Sequence, residues 1–294
     1  MGNRYLELDR KVHRAHFPAI AVATSAPLPG RRPCCALGQW HIPGLAGAVD
    51  PAKLAGHHYG ASGVNGFVYT STSGLIDLGH LRDTADMVVY IDRELASGAS
   101  TLELYEGRAT ITTPPADRAA RLALAAAITY VESWAHELAT WPDYSAFSPE
   151  DIVSNICGIE AGKRALLAGG PLDAALDAEI GSMLTTELGG RSLAETKAVL
   201  AKIENDWYSG GITGLKLLRR NFDGFGWPAG MPYDAFVSLP WLSPLVFAPQ
   251  FSAFTFTMRS PVNGTAGVTL ATMQATTNAL RSAWVAANPG KDRP

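Results

Sequence analysis

Acids and histidines recur at helical spacing in two short segments, Asp77-Leu78-Gly79-His80-Leu81-Arg82-Asp83-Thr84-Ala85-Asp86 and Glu132-Ser133-Trp134-Ala135-His136-Glu137. Imidazoles and carboxylates are the groups that bind a divalent transition metal or pass a proton. At about 100° per residue, His80 and Asp83 lie about 60° apart and Asp86 about 60° beyond, so His80 and Asp83 can converge while Asp86 flanks them. Glu132 and His136 are i,i+4 neighbours, and Glu137 is turned about 100° from His136. The second segment is half of a metalloprotease-type helix. The residue four after His136 is Thr140, so the His-Glu-x-x-His motif is absent and only a variant with Glu132 as the i−4 ligand remains. The expected site has His80, Asp83, Glu132 and His136 as ligands of zinc, iron or manganese, with Glu137 or Asp86 as acid or base and a coordination position open to water or substrate.

Each of these residues also has a plain structural reading. Asp77 is placed to cap its helix by accepting the His80 N–H, and Asp151 reads as a capping-box acid rather than a ligand, although it shares a face with Asn155 and both could reach the same cavity. Asp83 and Asp86 can pair with Arg82 and Arg93 on a solvated face, and a lone histidine is by default a hydrogen-bonded structural residue. Elsewhere, His58 in the loop His57-His58-Tyr59 could add a ligand or contact the substrate, and Lys216, Arg219 and Arg220 could hold an anionic substrate.

Helices must position these groups. One is expected from Asp77 to about Leu95, with Leu78, Leu81, Ala85, Val88 and Val89 on one face; a second runs from about Pro115 to Thr140, stopped by Pro142, its alanines allowing close packing. Ser148-Pro149-Glu150-Asp151 opens a third, ended near Leu167 by Gly169-Gly170. Pro171 to Leu188, Ser192 to about Trp207 and Val268 to Ala287 complete the helices. A strand pair is expected at Thr101 to Tyr105 and Arg108 to Thr113, turning at Glu106-Gly107. Residues 1–75, rich in proline and glycine, read as mostly loop with short strands or turns. The predicted fold is mainly α: a helical, bundle-like single domain (residues 76–294 as its core) with a loop-rich N-terminal portion (1–75) wrapped around it.

Composition narrows the function classes. A chain of 294 residues with 47% apolar and 17% charged side chains can bury a large core, which excludes a disordered or fibrous protein. Lys plus Arg is 24 against 27 for Asp plus Glu, a net charge of −3 without runs of either sign, so no nucleic-acid footprint is visible. The first residues are too charged for a secretory signal, and the most apolar stretch, 240–258, is interrupted by Pro244, Pro249 and Gln250, so it reads as a core-lining segment and no membrane partner is expected. Cys34, Cys35 and Cys157 form neither a disulfide framework nor a zinc ribbon. A cytoplasmic protein acting on a small molecule is expected, with a homo-oligomer left open.

Several ordered motifs carry a family resemblance. Arg32-Pro33-Cys34-Cys35-Ala36-Leu37-Gly38, Gly66-Phe67-Val68-Tyr69-Thr70, Ile76 to Asp86, His136-Glu137-Leu138-Ala139-Thr140-Trp141 and Phe147 to Ile159 together resemble the bacterial family catalogued as domain of unknown function 4056; Leu218 to Phe222 fits more loosely. The resemblance implies no activity, but it suggests that the His80 and His136 segments belong to one shared site. Many members begin with an export or lipoprotein signal, which this chain is expected to lack. The family pattern favours a cysteine after Tyr-Thr; this chain has Ser71 there, so a thiol nucleophile is not expected.

The residues thus lead to a metal-dependent enzyme hydrolysing a small molecule with a metal-activated water and a carboxylate base. A lyase, cyclase or isomerase using the same groups for proton transfer, with or without metal, is one alternative. A non-catalytic binding protein with a pocket lined by Trp207, Trp227, Trp241, Phe247 and Phe251 is another.

Overall fold

The computed structural model describes residues 67–140, 147, 149–202, 208–209, 216–217 and 239–287. Most of the expected N-terminal wrap, with His58, Cys34 and Cys35, lies outside the described residues, as do Arg219, Arg220, Trp207 and Trp227.

The described chain opens with a β-hairpin. Strands β1 (Phe67–Thr70) and β2 (Gly74–Asp77) pair antiparallel, with Val68 opposite Ile76. The turn is built from polar groups: Thr70 Oγ1 accepts from the Ser73 N–H and donates to the Gly74 carbonyl, and Gly74 takes the positive φ of 71° that completes the reversal. Val68 and Ile76 are fully buried, so the hairpin is seated on the core.

Helix α1 (Leu78–Ala96) follows β2 without a loop, because Asp77 is at once the last strand residue and the helix cap. Its stripe of Leu78, Leu81, Ala85, Val88 and Ile91 is buried. The helix ends at Ser97, whose N–H closes on Arg93 and Glu94 carbonyls, followed by Gly98 at φ 87°. Helix α2 (Arg118–Thr140) is opened by Asp117, whose Oδ1 accepts the Ala120 N–H at 2.8 Å. The run Ala125, Ala126, Ala127, Ile128 and Val131 is buried, and the small side chains let neighbouring segments approach the α2 backbone.

Helix α3 (Pro149–Ala168) lies against α1 more closely than ordinary side chains permit. A Cβ added to Gly158 would stand 1.9 Å from the Leu81 carbonyl oxygen, and one on Gly162 would stand 2.7 Å from that of Ala85. The two glycines therefore set the spacing, and Thr84 Oγ1 crosses it to donate to the Asn155 carbonyl at 3.0 Å. Beside that contact, buried Arg82 joins Asp86 one turn on to Asp177 of helix α4 (Leu172–Ser182). A single turn of π-helix, Met183–Glu187, extends α4. The chain then touches the first hairpin: Arg191 N–H donates to the Tyr69 carbonyl, and the Ser71 N–H to that of Gly189. Helix α5 (Leu193–Lys202) starts at the expected Ser192 with a capping box, in which Glu195 N–H donates to Ser192 Oγ and Ser192 N–H to Glu195 Oε2.

The remaining sheets are small. Strands β3 (Thr101–Glu103) and β4 (Gly107–Ile111) form the expected hairpin, while β5 (Tyr208–Ser209) and β6 (Lys216–Leu217) form a two-residue pair. A third strand, β7 (Phe254–Met258), joins β4 antiparallel. It emerges from the apolar segment 240–258, most of which winds into 3₁₀ turns (Pro240–Leu242 and Pro244–Ala253), and Leu242, Phe247, Phe254, Phe256 and Met258 are buried. Phe247 stacks on Tyr130 of α2 with centroids 4.8 Å apart. The closing helix, α6 (Leu270–Ala287), is tied to α2 by Trp134 Nε1–H donating to Thr277 Oγ1 at 3.0 Å. The fold is mainly α with a few short strands, as expected, and among the described residues no helix is long and apolar enough to cross a membrane.

Candidate functional site

The hairpin-to-helix junction, the start of α1 and the start of α3 meet at one point, and each contributes a side chain able to bind a cation. Asp77 sits in extended backbone; its Oδ1 accepts from Gly79 N–H at 2.7 Å and His80 N–H at 3.3 Å, while its own N–H donates to Ser154 Oγ of α3 at 2.8 Å. One oxygen thus caps the helix, as expected. The other, Oδ2, lies 3.5 Å from His80 Nδ1. Asp151, one turn before Ser154 on the same face of α3, brings its Oδ1 to 3.8 Å from the same nitrogen. One ligand atom from each of Asp77, His80 and Asp151 lies within 4.8 Å of the others, and all three residues are half-buried.

Glu137 of α2 completes the electrostatics. Its Oε2 accepts the N–H of Phe147, a buried residue held in left-handed backbone at φ 58°. Burial disfavours a charged His80 ring, but the Asp151 carboxylate, then Asp77 and Glu137, outweigh that effect and hold the imidazole well above its ordinary value of 6.5. Three carboxylates around one imidazole make this a site that favours positive charge, whether a proton or a metal ion supplies it.

The other expected site residues are distributed differently. His136 turns Nδ1 to Glu106 Oε1 at 2.8 Å, and Glu132 Oε1 accepts the Glu106 backbone N–H at 2.6 Å, so this i,i+4 pair grips the β3–β4 turn. His80, Asp83, Glu132 and His136 do not converge to ligand distances; among the described residues the set that does is Asp77, His80 and Asp151. Asp86, expected either to flank His80 or to pair with an arginine, takes the second course and accepts Arg82 Nε at 3.0 Å on both oxygens. The physical reason is that Arg82, 1% exposed, must have its charge met inside the core, and Asp86 lies one helical turn away. Asp83 is half-buried on α1. Of the aromatic residues considered for a pocket, Phe247 is packed on Tyr130, and Trp241 lies beneath Arg164, whose guanidinium carbon is 5.2 Å from the ring centroid.

Asp77 was legible only as a cap, whereas Asp151, read first as a capping acid, was also expected to be able to reach the same cavity, and it does face His80. The available signal was that a capping carboxylate uses one oxygen and keeps a second to offer. Glu106, in a turn, carried no local mark.

No curated protein and no solved structure matches the chain. The family described as protein of unknown function (DUF4056) matches residues 23–222, more than half of the sequence, and the chain belongs to that family.

Proposed function

We propose that Asp77, His80 and Asp151 hold a divalent transition metal, zinc, iron or manganese, and that the protein is a cytoplasmic hydrolase acting on a small molecule. The observation that carries this reading is the convergence of one imidazole nitrogen and two carboxylates from separate segments. The separations of 3.5 and 3.8 Å from Nδ1 exceed the reach of a good hydrogen bond. They are close to the roughly 3.4 Å edge of a tetrahedron whose metal–ligand bonds are about 2.0–2.1 Å. A modest inward movement closes the set, and a nitrogen-plus-oxygen shell suits these borderline metals.

Three protein ligands leave a position for water, whose acidity a bound metal would raise. Glu137, whose charge acts on His80 and whose Oε2 is held by the Phe147 N–H, is assigned the part of taking a proton from that water.

The test is hydrolysis of ester, amide and phosphoester panels by chelator-treated protein resupplied with zinc, manganese or ferrous iron. Turnover that requires metal and falls at least about 100-fold in Glu137→Gln supports the reading. Turnover indifferent to both chelator and Glu137→Gln overturns it. A metal-free lyase or isomerase is the second reading, favoured by the raised His80, which as an imidazolium could itself serve as the acid.

A further inference from the structure

We infer that the π-turn Met183–Glu187 is a positioning clamp for the Asp77–His80–Asp151 centre, a role that rests on the metal-site reading above. Glu187, locked to Arg164, holds the tip of the first hairpin so that the hairpin's last residue, Asp77, meets Asp151 at a fixed spacing.

Helix α3 carries both ends of the arrangement. At its start, Ser154 Oγ accepts the Asp77 N–H at 2.8 Å, and Asp151 faces His80. Arg164 lies about 20 Å further along the same helix at 1.5 Å per residue. Its Nε donates to Glu160 Oε1 at 3.0 Å, its Nη1 and Nη2 reach the two oxygens of Glu187, and its guanidinium carbon stands 5.2 Å from the Trp241 ring centroid. A forked guanidinium–carboxylate pair fixes orientation as well as distance. Glu187 is thereby tied to α3 although it belongs to the segment leaving α4.

The residues after Glu187 hold the hairpin. The π-turn closes Leu188 N–H onto the Met183 carbonyl at 2.9 Å, and Gly190 N–H follows onto that of Leu184 at 2.6 Å. The Leu188 carbonyl accepts the Thr72 hydroxyl at 2.7 Å and the Thr72 N–H at 3.3 Å, while the Gly189 carbonyl accepts the Ser71 N–H at 3.0 Å. A Cβ on Gly189, whose φ is 63°, would stand 2.3 Å from Ser71 Oγ, so glycine lets the two segments meet. Between tip and site the hairpin is an unbroken ladder, with Thr70 opposite Gly74 and Phe67 opposite Asp77, and Val68 and Ile76 are fully buried. A displacement at the tip is therefore carried to Asp77 instead of being absorbed by a loop. π-turns are rare and recur at functional sites; this one turns its exit backbone onto the element that ends in Asp77.

The experiment uses the full chain. Amide hydrogen exchange is followed by ¹H–¹⁵N NMR in excess chelator, and zinc affinity is measured separately by competition with a chromophoric chelator. In Glu187→Ala the Ser71, Thr72 and Asp77 amides are expected to exchange at least about tenfold faster, while Ile128 and Val131 of α2 keep their rates. Zinc affinity is expected to fall about tenfold to a hundredfold although every ligand remains, and Glu187→Asp should recover part of both effects. Because coupling is reciprocal, saturating zinc should slow exchange at Ser71 and Thr72 in the unaltered protein, a measurement that decides even if a variant fails to fold. Faster exchange at the tip with unchanged zinc affinity, an equal rise throughout the chain, or tip amides indifferent to Glu187→Ala or to bound zinc overturns the inference. A wild-type chain that takes up no zinc overturns the metal reading instead, and the clamp then stands or falls on whether the Asp77 amide follows the tip amides in Glu187→Ala.

Discussion

Replacing Gly158 by alanine tests the most demanding contact in the fold. The new methyl group would stand 1.9 Å from the Leu81 carbonyl oxygen and 2.1 Å from Thr84 Oγ1, whereas real Cβ atoms essentially never come within 3.0 Å of a neighbour. The first obstacle is main chain inside a helix, which cannot rotate aside, so α1 and α3 must separate by about 1 Å or more. Overpacking of this kind costs about 3 kcal/mol at the upper end of its usual range, and the better helix propensity of alanine returns about 1 kcal/mol, leaving a net loss of about 2 kcal/mol. The same separation moves Asp151 away from His80 and weakens the Thr84–Asn155 bridge. Metal affinity should therefore fall roughly tenfold to a hundredfold. Gly162→Ala is the internal comparison: its Cβ would lie 2.7 Å from the Ala85 oxygen, a clash a few tenths of an ångström deep, so it should be clearly milder. Urea unfolding followed by far-UV circular dichroism measures both, with m-values checked for constancy. If Gly158→Ala proves as stable as the parent, or less harmful than Gly162→Ala, the account of α1–α3 packing is refuted.

Other outcomes follow from single contacts. Arg82→Met leaves Asp86 and Asp177 without their buried cation and should cost about 3–5 kcal/mol in the same unfolding assay. Ser154→Ala removes the acceptor of the Asp77 N–H and should cost about 1–3 kcal/mol, with metal affinity falling alongside. Because folding raises the His80 pKa, protonated His80 stabilises the metal-free protein fully below the unfolded value of 6.5, and that contribution is lost as pH rises through the folded value; His80→Asn should flatten this part of a denaturation-midpoint-versus-pH curve. Burial, reinforced by Glu187 and opposed by Arg164, pushes the Cys157 thiol far above its usual range, so iodoacetamide should modify it only after unfolding, as peptide mass spectrometry would show.

The helices were legible because their ends carry their own chemistry. Asp77 as a cap, the cap opened by Ser192 and the glycines after α3 mark boundaries within a few residues of those observed. The family resemblance seen over residues 32–160 likewise falls within the matched span of 23–222. Strand β7 was hidden inside an apolar run, although Phe254-Thr255-Phe256-Thr257-Met258 alternates buried and exposed in the period of a strand. The site was harder to read. His80 stood out by type and spacing, but Asp151 reaches it only because two glycines bring together helices more than fifty residues apart in the chain, and no local pattern encodes that approach. Asp86 followed its plain reading as a partner of Arg82 rather than its place beside His80, but the pair is buried where a solvated face was expected, because the guanidinium one turn behind it lies in the core. Glu106 became meaningful only once folding set the turn against α2.

The central claim is that Asp77, His80 and Asp151 close on one divalent ion. Isothermal titration of chelator-treated protein with zinc and manganese, paired with X-ray absorption of the loaded sample, measures this directly. One ion per chain, bound through a single imidazole and carboxylate oxygens and lost in both His80→Ala and Asp151→Asn, is the predicted result. Absence of binding at millimolar metal, or binding that survives both substitutions, would contradict it.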